Sequence, residues 1–324
     1  MTASGMTVQD KPATDAYLHC DVTSLFSLKD RVVVITGGAR GIGLTLAFAV
    51  AEAGGLVALV DASPAPHEHF EILKQRAAKV GYYQSVFHTC SHLGHTSETP
   101  RGKDDDTDIL VSCFSRSDVT DYERLKNTFD AIVQDYQRID GIITAAGICP
   151  DQPFLDRSPT SVKRTFEINV LGTYYAVQLA VRQMGSQPPL GSSSPTPSHP
   201  PAAGSVVMIA SIAAHQASKL QYTSDYCASK GAVLALCRQL SVELATTGIR
   251  VNCISPGYVM TDMTLDISAT RPGLAEVFVS EPPMKRMADR TELKGAAVYL
   301  LSSASSYMTG GELLITGGMH AGRN

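Results

Sequence analysis

The sequence predicts an α/β fold in which about seven parallel strands form one doubly wound, Rossmann-like sheet with helices on both faces. Short runs rich in β-branched residues alternate along the chain with longer stretches whose apolar residues recur every three or four positions. This alternation is typical of β-α units, whose crossover helices cover both faces of a parallel sheet. A glycine-rich turn between the first strand and the first long helix favours the same arrangement.

The predicted elements follow one another in regular order. Strands are expected at residues 32–36, 56–61, 109–114, 141–145, 205–210, 250–255 and 312–316. Helices are expected at residues 42–53, 122–136, 161–184, 224–246 and 291–301. Residues 1–27 are expected to form a disordered tail and residues 28–324 a single domain. Two polar segments, 88–108 and 185–204, are expected to be surface insertions, because neither can bury enough apolar area to offset the entropy lost on ordering its backbone.

Composition indicates a protein that acts on a small molecule. With 324 residues, 44% of them hydrophobic, the chain can bury a sizeable core. A net charge of -4 without a basic block argues against nucleic acid or an anionic membrane surface as a partner. The apolar stretch 44–60 is interrupted by Glu52 and a glycine pair, so it is not expected to span a membrane. Seven scattered cysteines without a CxxC pair favour a reducing, cytoplasmic location.

No metal site is expected. His88, Cys90, His92 and His95 have ligand-like spacing, but they lie in the first polar insertion with no ligand fixed on a strand or helix. The acidic run at 104–106 is better explained as a solvated loop.

The glycine-rich turn is a candidate site for a dinucleotide phosphate. The first strand runs into Thr36-Gly-Gly-Ala-Arg-Gly-Ile-Gly43, and the chain then becomes helical. Gly37, Gly41 and Gly43 allow a tight turn, while the N–H groups and dipole at the helix start stabilise a pyrophosphate. Glycine turns are common, so the motif alone is weak, but the flanking strand and helix strengthen it.

Two charged residues bear on the choice of cofactor. Asp61 ends the second strand about 20 residues beyond the glycines, where a carboxylate accepts hydrogen bonds from the adenosine ribose hydroxyls. Such a carboxylate would repel a 2′-phosphate, so NAD is favoured over NADP. Asp61 is equally suited to starting the turn that follows it. Arg40, inside the loop, could help a phosphate bind and keeps NADP as an alternative.

Tyr226 and Lys230 are candidates for proton transfer. A spacing of four on the predicted helix places the phenol and the ammonium on one face, one turn apart. The lysine is expected to lower the pKa of Tyr226, which would then exchange a proton with an alcohol or its alkoxide. The same spacing also occurs on ordinary helix surfaces.

Ser211 follows the strand predicted at 205–210, fifteen residues before Tyr226. It would emerge at the carboxyl edge of the sheet, where ligands of such folds bind, and its hydroxyl could donate to a substrate oxygen as charge develops. The alternative is that Ser211 only caps the strand end.

With these motifs in order, the chain resembles the short-chain dehydrogenase/reductase family from about residue 27 to residue 318. The motifs that carry the resemblance are TGGARGIG at 36–43, DVTD at 118–121, TAAG at 144–147, INVLG at 168–172, YCASK at 226–230 and ISPGYVMT at 254–261. The resemblance implies an enzyme that uses NAD or NADP to interconvert a secondary alcohol and a ketone by hydride transfer.

The resemblance also implies individual roles. Asp118 and Val119 would contact the adenine, Ala146 and Gly147 would border the cofactor, and Ile42 would pack behind the nicotinamide ring. Val259 and Thr261 would contact the nicotinamide amide. Lys230 would also bind the nicotinamide ribose, and Asn169 would hold a relay water beside it. A mid-helix Asn can instead bond to its own helix or face solvent.

One departure from the family is clear. The family usually has Asn-Asn-Ala-Gly after the fourth strand, whereas this chain has Thr144-Ala-Ala-Gly147. The loss of both amide side chains bears on how the central strand is tied and how adenosine is held.

The Ser-to-Tyr spacing and the segments 255–264, 283–288 and 305–318 resemble the fungal polyol/ketose branch, which includes mannitol dehydrogenase, sorbose reductase and D-arabinitol dehydrogenase. A polyol/ketose substrate is therefore favoured. The alternative enzyme is a carbonyl reductase of secondary metabolism, since fold does not fix substrate. A non-catalytic dinucleotide-binding regulator is the alternative from another class.

A lid between residues 258 and 286 would supply substrate contacts, although its apolar residues could equally pack against the protein body or a partner subunit. These residues are Met260, Met263, Leu265, Ile267, Leu274, Val277 and Phe278. The resemblance further implies a homodimer or homotetramer, with the helices predicted at 161–184 and 224–246 pairing across a two-fold axis.

Overall fold

The structure is a computed structural model that describes residues 21–84, 118–190, 202–271 and 273–322. Its seven strands are β1 (Val32–Thr36), β2 (Leu56–Asp61), β3 (Val80–Gln84), β4 (Gly141–Thr144), β5 (Gly204–Ile209), β6 (Ile249–Pro256) and β7 (Glu312–Ile315). They form one sheet in the order β3-β2-β1-β4-β5-β6-β7, and every neighbouring pair is parallel. The predicted Rossmann-like α/β fold is confirmed.

The first α-helix of the described residues precedes β1, and the others connect the strands. They are α1 (Val22–Leu25), α2 (Gly41–Glu52), α3 (His69–Arg76), α4 (Tyr122–Tyr136), α5 (Pro159–Phe166), α6 (Thr173–Ser186), α7 (Ser224–Glu243), α8 (Asp262–Thr270), α9 (Leu274–Ser280) and α10 (Lys294–Leu301). A π-helical segment, Glu167–Gly172, joins α5 to α6. None of these helices has the length and apolar character needed to span a membrane.

Both faces of the sheet are buried, which explains why its central strands are continuously apolar. In β1, Val32 and Val34 pack on the side of α4, α6 and α7, whereas Val33 and Ile35 pack on the side of α2 and α10. All four are essentially inaccessible to solvent. Alternate side chains of a strand point to opposite faces, so a strand covered by helices on both sides must be apolar at every position.

The strand predictions agree with the structure to within one residue at each end, with one exception. The predicted strand 109–114 lies outside the described residues. The third strand along the chain is β3, which the periodicity did not predict because Gly81 interrupts its short run of strand-forming residues.

The helix predictions need four corrections, the first of which is that α3 was not predicted. The helix predicted at 161–184 is interrupted by the π-helical segment, and the lid contains two helices, α8 and α9, that were not predicted. Residues 21–27 of the predicted disordered tail include α1, whose first turn is capped by Asp21. Residues 1–20 and the whole segment 88–108 lie outside the described residues. The predicted insertion 185–204 overlaps regular structure at both ends, because α6 continues to Ser186 and β5 begins at Gly204.

The topology places a crevice at the carboxyl edge of the sheet. The chain proceeds outward from β1 to β3 and then crosses back to β4, on the other side of β1. The connections that follow β1 and β4 therefore leave in opposite directions and open a cleft between them, which is where ligands bind in sheets of this kind.

Candidate active site

The turn after β1 is built so that backbone approaches backbone. Gly37 has φ +70°, and a Cβ there would lie 2.6 Å from the amide nitrogen of Ala146. A Cβ on Gly43 would lie 2.1 Å from the carbonyl oxygen of Gly37. Neither position accepts a side chain without displacing main-chain atoms. The turn thus stays tight against the loop after β4, and α2 begins at the cleft with no side-chain cap on its first N–H groups.

A cavity of about 390 Å³ opens at this turn. Eleven of the residues predicted to bind cofactor line it, namely Gly37, Arg40, Gly41, Ile42, Gly43, Asp61, Asp118, Val119, Ala146, Gly147 and Thr261. A glycine cradle that a Cβ would fill and a helix start with uncapped N–H groups fit the pyrophosphate of a dinucleotide. We refer to this space as the cofactor cavity.

Asp61 has the structural role weighed as the alternative. Its Oδ2 accepts from the amide of Ala39 at 2.9 Å, and its Oδ1 accepts from the amide of Ser63 at 2.8 Å. The carboxylate therefore ties the glycine turn to the end of β2 while it also lines the cofactor cavity. Arg40 is 70% exposed at its side chain and lies 4.0 Å from Asp262.

Asp118 is held at the far end of the cofactor cavity. It accepts from the hydroxyl of Thr120 at 2.8 Å and pairs with Arg164 at 2.9 Å. Burial favours the neutral acid, but the hydrogen bonds from Arg164 and Thr120 outweigh it, so the pKa of Asp118 is lowered. Next to it, Val119 packs where a Cβ on Gly172 would lie, 2.4 Å from Val119 Cγ2.

A second cavity of about 140 Å³ adjoins the first. Ser211, Tyr226, Lys230 and Val259 line it, and Thr261 borders both spaces. It lies beyond the carboxyl ends of β5 and β6, under α8. We refer to this space as the substrate cavity.

Ser211 lies where the sequence predicted it, directly beyond β5, and its hydroxyl has a capping role of the kind considered as the alternative. Its Oγ accepts from the amide of Ala213 at 3.1 Å and so caps a short 3-10 turn. The residue is buried and faces the substrate cavity, within hydrogen-bonding reach of Tyr226.

The electrostatics of Tyr226 and Lys230 differ from the expectation. Burial raises the pKa of Tyr226 well above its usual value, Cys149 raises it further, and a hydrogen bond with Ser211 lowers it only in part. The expected lowering by Lys230 is therefore wrong for this structure, because desolvation dominates. Burial also lowers the pKa of Lys230 to about 8. Its Nζ donates to the carbonyl of Ile209 at 2.7 Å and lies 5.7 Å from the Tyr226 ring centroid.

Asn169 lies in the π-helical segment, fully buried behind the two cavities. Its Oδ1 accepts from the amide of Ile148 at 2.9 Å, and its Nδ2 donates to the carbonyl of Ile148 and to Ser229 Oγ, at 3.0 and 2.9 Å. A Cβ on Gly147 would lie 3.3 Å from Asn169 Oδ1 and 3.7 Å from Lys230 Nζ. The side chain thus joins the loop after β4 to α7, beside Lys230, and π-helical turns are frequent at functional sites.

Without the two Asn side chains, the segment after β4 is held by main-chain contacts. The amide of Ala145 donates to the carbonyl of Thr36 at 3.0 Å, which ties the end of β4 to β1. The same backbone packs against Gly37. Thr144, in place of the first Asn, is buried with no hydrogen-bond partner for its hydroxyl.

Several residues around the substrate cavity were not predicted. Cys149, Ser218, Gln221 and Thr223 line it, and all belong to loops without a motif of their own. Arg164, which lines the cofactor cavity, could have been suggested only by its helical register opposite the DVTD motif.

The lid residues divide between the two roles considered for them. Met263 and Ile267 of α8 line the substrate cavity. Leu274 and Phe278 of α9 are instead buried in a small core with Tyr258. Met260 and Leu265 are exposed, and of the seven apolar lid residues named above only Met263 and Ile267 line the substrate cavity.

The chain has extensive similarity to known proteins. A family model described as enoyl-(acyl carrier protein) reductase matches residues 102–320. A ribulose-forming D-arabinitol 2-dehydrogenase of Scheffersomyces stipitis is 31% identical over 304 residues, which is 93% of this chain and 98% of that protein. An NADP-dependent mannitol dehydrogenase of Hypocrea jecorina is 31% identical over 299 residues, which is 91% of this chain and 94% of the relative.

A solved structure agrees with these matches. A short-chain type dehydrogenase/reductase from Mycobacterium marinum superposes with a TM-score of 0.71 at 30% sequence identity, covering 92% of this chain and 99% of that one. The sheet order, the ordered motifs and the similarity along nearly the whole chain lead to one assignment. The protein belongs to the short-chain dehydrogenase/reductase family and is an NAD(P)-dependent oxidoreductase that interconverts an alcohol and a ketone.

Proposed function

We propose that the substrate is a polyol and the product the corresponding ketose, or the reverse. The observation that carries this proposal is the size of the substrate cavity. Its 140 Å³ is small beside the ~300–1,000 Å³ of pockets that hold drug-sized ligands, so it suits a molecule of few heavy atoms. Ser211, Ser218, Gln221 and Thr223 supply polar groups for hydroxyls. The polyol names of the relatives support the same substrate class.

In this proposal Tyr226 transfers the proton. A pKa raised by burial keeps the phenol protonated at neutral pH, so it is ready to donate to the nascent alkoxide in ketone reduction. Ser211 donates a hydrogen bond to the same oxygen as negative charge develops. Lys230 and Asn169 line the route by which the proton of Tyr226 would be replaced. When bound, the nicotinamide supplies or accepts the hydride.

The cofactor proposed is NAD, with NADP as the alternative. Asp61 lines the cofactor cavity beside the glycine turn, and its negative charge would oppose a 2′-phosphate. Both carboxylate oxygens already accept backbone amides, and each retains a second lone pair for a ribose hydroxyl. The exposed Arg40 and the NADP-dependent relative support the alternative.

The two other functions remain distinguishable. A carbonyl reductase of secondary metabolism is supported by the apolar part of the substrate cavity, which includes Ile212, Met263 and Ile267. A non-catalytic regulator would need only the cofactor cavity. The juxtaposition of Ser211 and Tyr226 in a separate cavity favours an enzyme.

We also propose a homodimer or homotetramer in the cytoplasm. Leu171, Tyr174 and Val242 are exposed apolar residues on the two helical stretches that the resemblance assigns to subunit contacts. The described cysteines, Cys149, Cys227, Cys237 and Cys253, are free thiols, which suits a reducing compartment.

A turnover screen tests the proposal. Purified protein is assayed with NAD(H) and NADP(H) against pentitols, hexitols, ketoses and bulky aromatic ketones. Turnover of a pentitol or hexitol with NAD is expected. Turnover of bulky ketones alone would favour the secondary-metabolism alternative, and cofactor binding without any turnover would favour the regulator.

Tyr226→Phe tests the assignment of the proton-transfer group. Loss of the hydroxyl is expected to lower kcat by about 10²- to 10⁴-fold, the usual contribution of general acid–base catalysis. Cofactor Kd, measured by quenching or enhancement of nicotinamide fluorescence, should change less than twofold. A variant with nearly normal kcat would remove Tyr226 from the mechanism.

A further inference from the structure

A buried ion pair lies directly behind Tyr226. Arg157, in the loop before α5, donates from Nη1 to Asp225 Oδ2 at 2.7 Å, and both side chains are only 2% exposed. Neither residue lines the cofactor or the substrate cavity. The chemistry proposed for Tyr226 uses neither of them.

Asp225 is attached to Tyr226 by more than the peptide bond. Its Oδ1 accepts from the amide of Tyr226 at 2.8 Å. Its Oδ2 accepts from Thr165 Oγ1 at 2.7 Å in addition to Arg157. The carboxylate therefore fixes the first turn of α7, at the residue that carries the phenol, against α5.

Arg157 fixes the two loops that flank the phenol. Its Nη2 donates to the carbonyl of Gln152 at 2.9 Å and to the carbonyl of Tyr222 at 2.5 Å, with a third, longer contact to Pro150. The first loop follows Cys149 and the second precedes Thr223, both of which line the substrate cavity. One guanidinium thus joins both walls of the cavity to the start of α7.

The energetics of such a pair favour a role in positioning. Desolvating two charges costs about as much as their attraction and hydrogen bonds return, so a buried ion pair contributes little net stability compared with apolar residues of the same size. What the pair does provide is direction, because a planar guanidinium bonds its partners only along fixed directions. Misplacing a reacting group by about 1 Å can lower a rate by ~10²-fold.

We propose that Arg157 and Asp225 are positioning residues that hold the Tyr226 hydroxyl at the place in the substrate cavity from which it can reach the substrate oxygen. Asp225 acts on the backbone of Tyr226, and Arg157 acts through Asp225 and through the two cavity walls. The inference rests on the proposed role of Tyr226.

Kinetics of Arg157→Met, Arg157→Lys, Asp225→Asn and the Arg157→Met/Asp225→Asn double variant test this proposal. The assay runs at low temperature, with circular dichroism to select conditions in which each variant is folded. We expect Arg157→Met and Asp225→Asn each to lower kcat about 10- to 100-fold, with cofactor Kd unchanged within twofold. Arg157→Lys keeps the positive charge but loses the planar, forked arrangement of N–H donors. Its kcat is therefore expected to lie between those of the wild type and Arg157→Met.

The double variant separates positioning from general loosening. If Arg157 acts through Asp225, the double variant should lose no more than about threefold beyond the worse single variant, because the two belong to one unit. Losses that multiply would overturn the proposal. So would an unchanged kcat in folded Arg157→Met, Arg157→Lys or Asp225→Asn.

Arg138→Met is the matched control. Arg138 forms a forked pair with the buried Asp140. Asp140 in turn accepts from the amide of Val32 at 2.9 Å, at the amino ends of β1 and β4 and away from both cavities. This variant is expected to lose stability but to keep kcat. Tyr226→Phe separates the two proposals. If Tyr226→Phe keeps nearly normal kcat, the role of Tyr226 fails. If Tyr226→Phe lowers kcat as expected while the folded Arg157 and Asp225 variants keep the wild-type kcat, only the positioning inference fails.

Discussion

The cofactor cavity and the substrate cavity share a border but are constructed differently. The first is formed at strand ends by main-chain packing, with Gly37 against the loop after β4 and Gly43 against Gly37. The second is enclosed by loops and by α8, and its walls are cross-linked by charged side chains, namely the pair Arg157–Asp225 and the pair Asp151–Arg271. The turn that forms the cofactor cavity requires glycines, which have no side chain, whereas the substrate cavity requires long charged side chains that connect its walls.

This difference has a physical reason. A dinucleotide phosphate needs close backbone N–H groups, which a strand-turn-helix supplies within a few residues. A substrate cavity in this fold is bounded by segments that are distant in sequence and share no hydrogen-bonded ladder. Side chains must hold them together, so this cavity is the one in which substitutions can alter geometry without unfolding the sheet.

The largest effect is expected on the backbone-built side, from Gly43→Ala. The new Cβ would lie 2.1 Å from the Gly37 carbonyl oxygen, and two main-chain segments must separate to accept it. Overpacking of this kind costs about 3 kcal/mol, which corresponds to a cofactor Kd weaker by about 100-fold. Cofactor titration by fluorescence measures it.

Gly295→Ala is the matched control for Gly43→Ala. Gly295 lies on the exposed side of α10, and a Cβ there meets no atom within 4 Å. Helix propensity makes this change neutral or slightly stabilising, by up to about 1 kcal/mol. If the two variants bound cofactor equally well, close backbone approach would not be what forms the cofactor cavity.

The next effect concerns Lys230, which lines the substrate cavity. Its pKa is lowered by burial from 10.5 to about 8, so between these values the unfolded chain binds a proton that the folded protein has released. The titration of Lys230 therefore makes the free energy of unfolding of the cofactor-free protein rise with pH in this range. From pH 8 to pH 10 the gain amounts to about 2 kcal/mol.

Urea unfolding of the wild type and Lys230→Met at a series of pH values measures this gain as a difference, which removes groups common to both proteins. Lys126→Met is the control. Its ammonium is exposed, and a hydrogen bond with Asp130 raises the pKa of Lys126, so the corresponding difference should not increase with pH. A flat difference for Lys230→Met would mean that the lysine is not desolvated in the free protein.

The sequence predicted the residues of the cofactor cavity better than those of the substrate cavity. The first cavity depends on contacts that are local in sequence, whereas the second depends on contacts between distant segments. β1 and β2 have the predicted ends, because an apolar run bounded by polar residues is a local signal, and the glycine motif lies where the first strand stops. β3 was missed, since Gly81 weakens its pattern and the strand is stabilised by pairing with β2. The π-helical turn was missed because the hydrogen bonds of Asn169 go to a loop distant in sequence, and helical periodicity contains no information about such contacts.

Around the substrate cavity, sequence reasoning found residues that belong to motifs or directly follow a predicted strand, together with the lid residues Met263 and Ile267. Ser211, Tyr226 and Lys230 were found through order and spacing. Arg157 and Asp225 are separated by 68 positions, and Arg271 and Asp151 by 120, so nothing local relates either pair. Such contacts arise only when the fold brings loops together, and a single sequence does not contain the information needed to pair them.

The smallest effect is expected from Arg271→Met, which tests whether side-chain cross-links control the lid. Arg271 follows α8 and contacts Asp151 through Nη1 at 2.8 and 3.0 Å, while its guanidinium lies 4.4 Å from the Tyr222 ring centroid. The amide of Tyr222 donates to the same carboxylate at 2.6 Å. The arginine thus joins the lid to both walls of the substrate cavity.

A partly exposed pair of this kind contributes about 1 kcal/mol or less. Arg271→Met should therefore raise KM by up to about fivefold, leave kcat and cofactor Kd within twofold, and speed hydrogen exchange in α8. Arg286→Met is the control, because Arg286 forms an ion pair with Glu292 on the protein surface, outside both cavities. If both variants raised KM alike, general loss of surface charge would explain the effect. If Arg271→Met lowered kcat instead of raising KM, α8 would be part of the machinery that positions the reacting groups, and the division between a rigid cofactor cavity and an adjustable substrate cavity would have to be redrawn at α8.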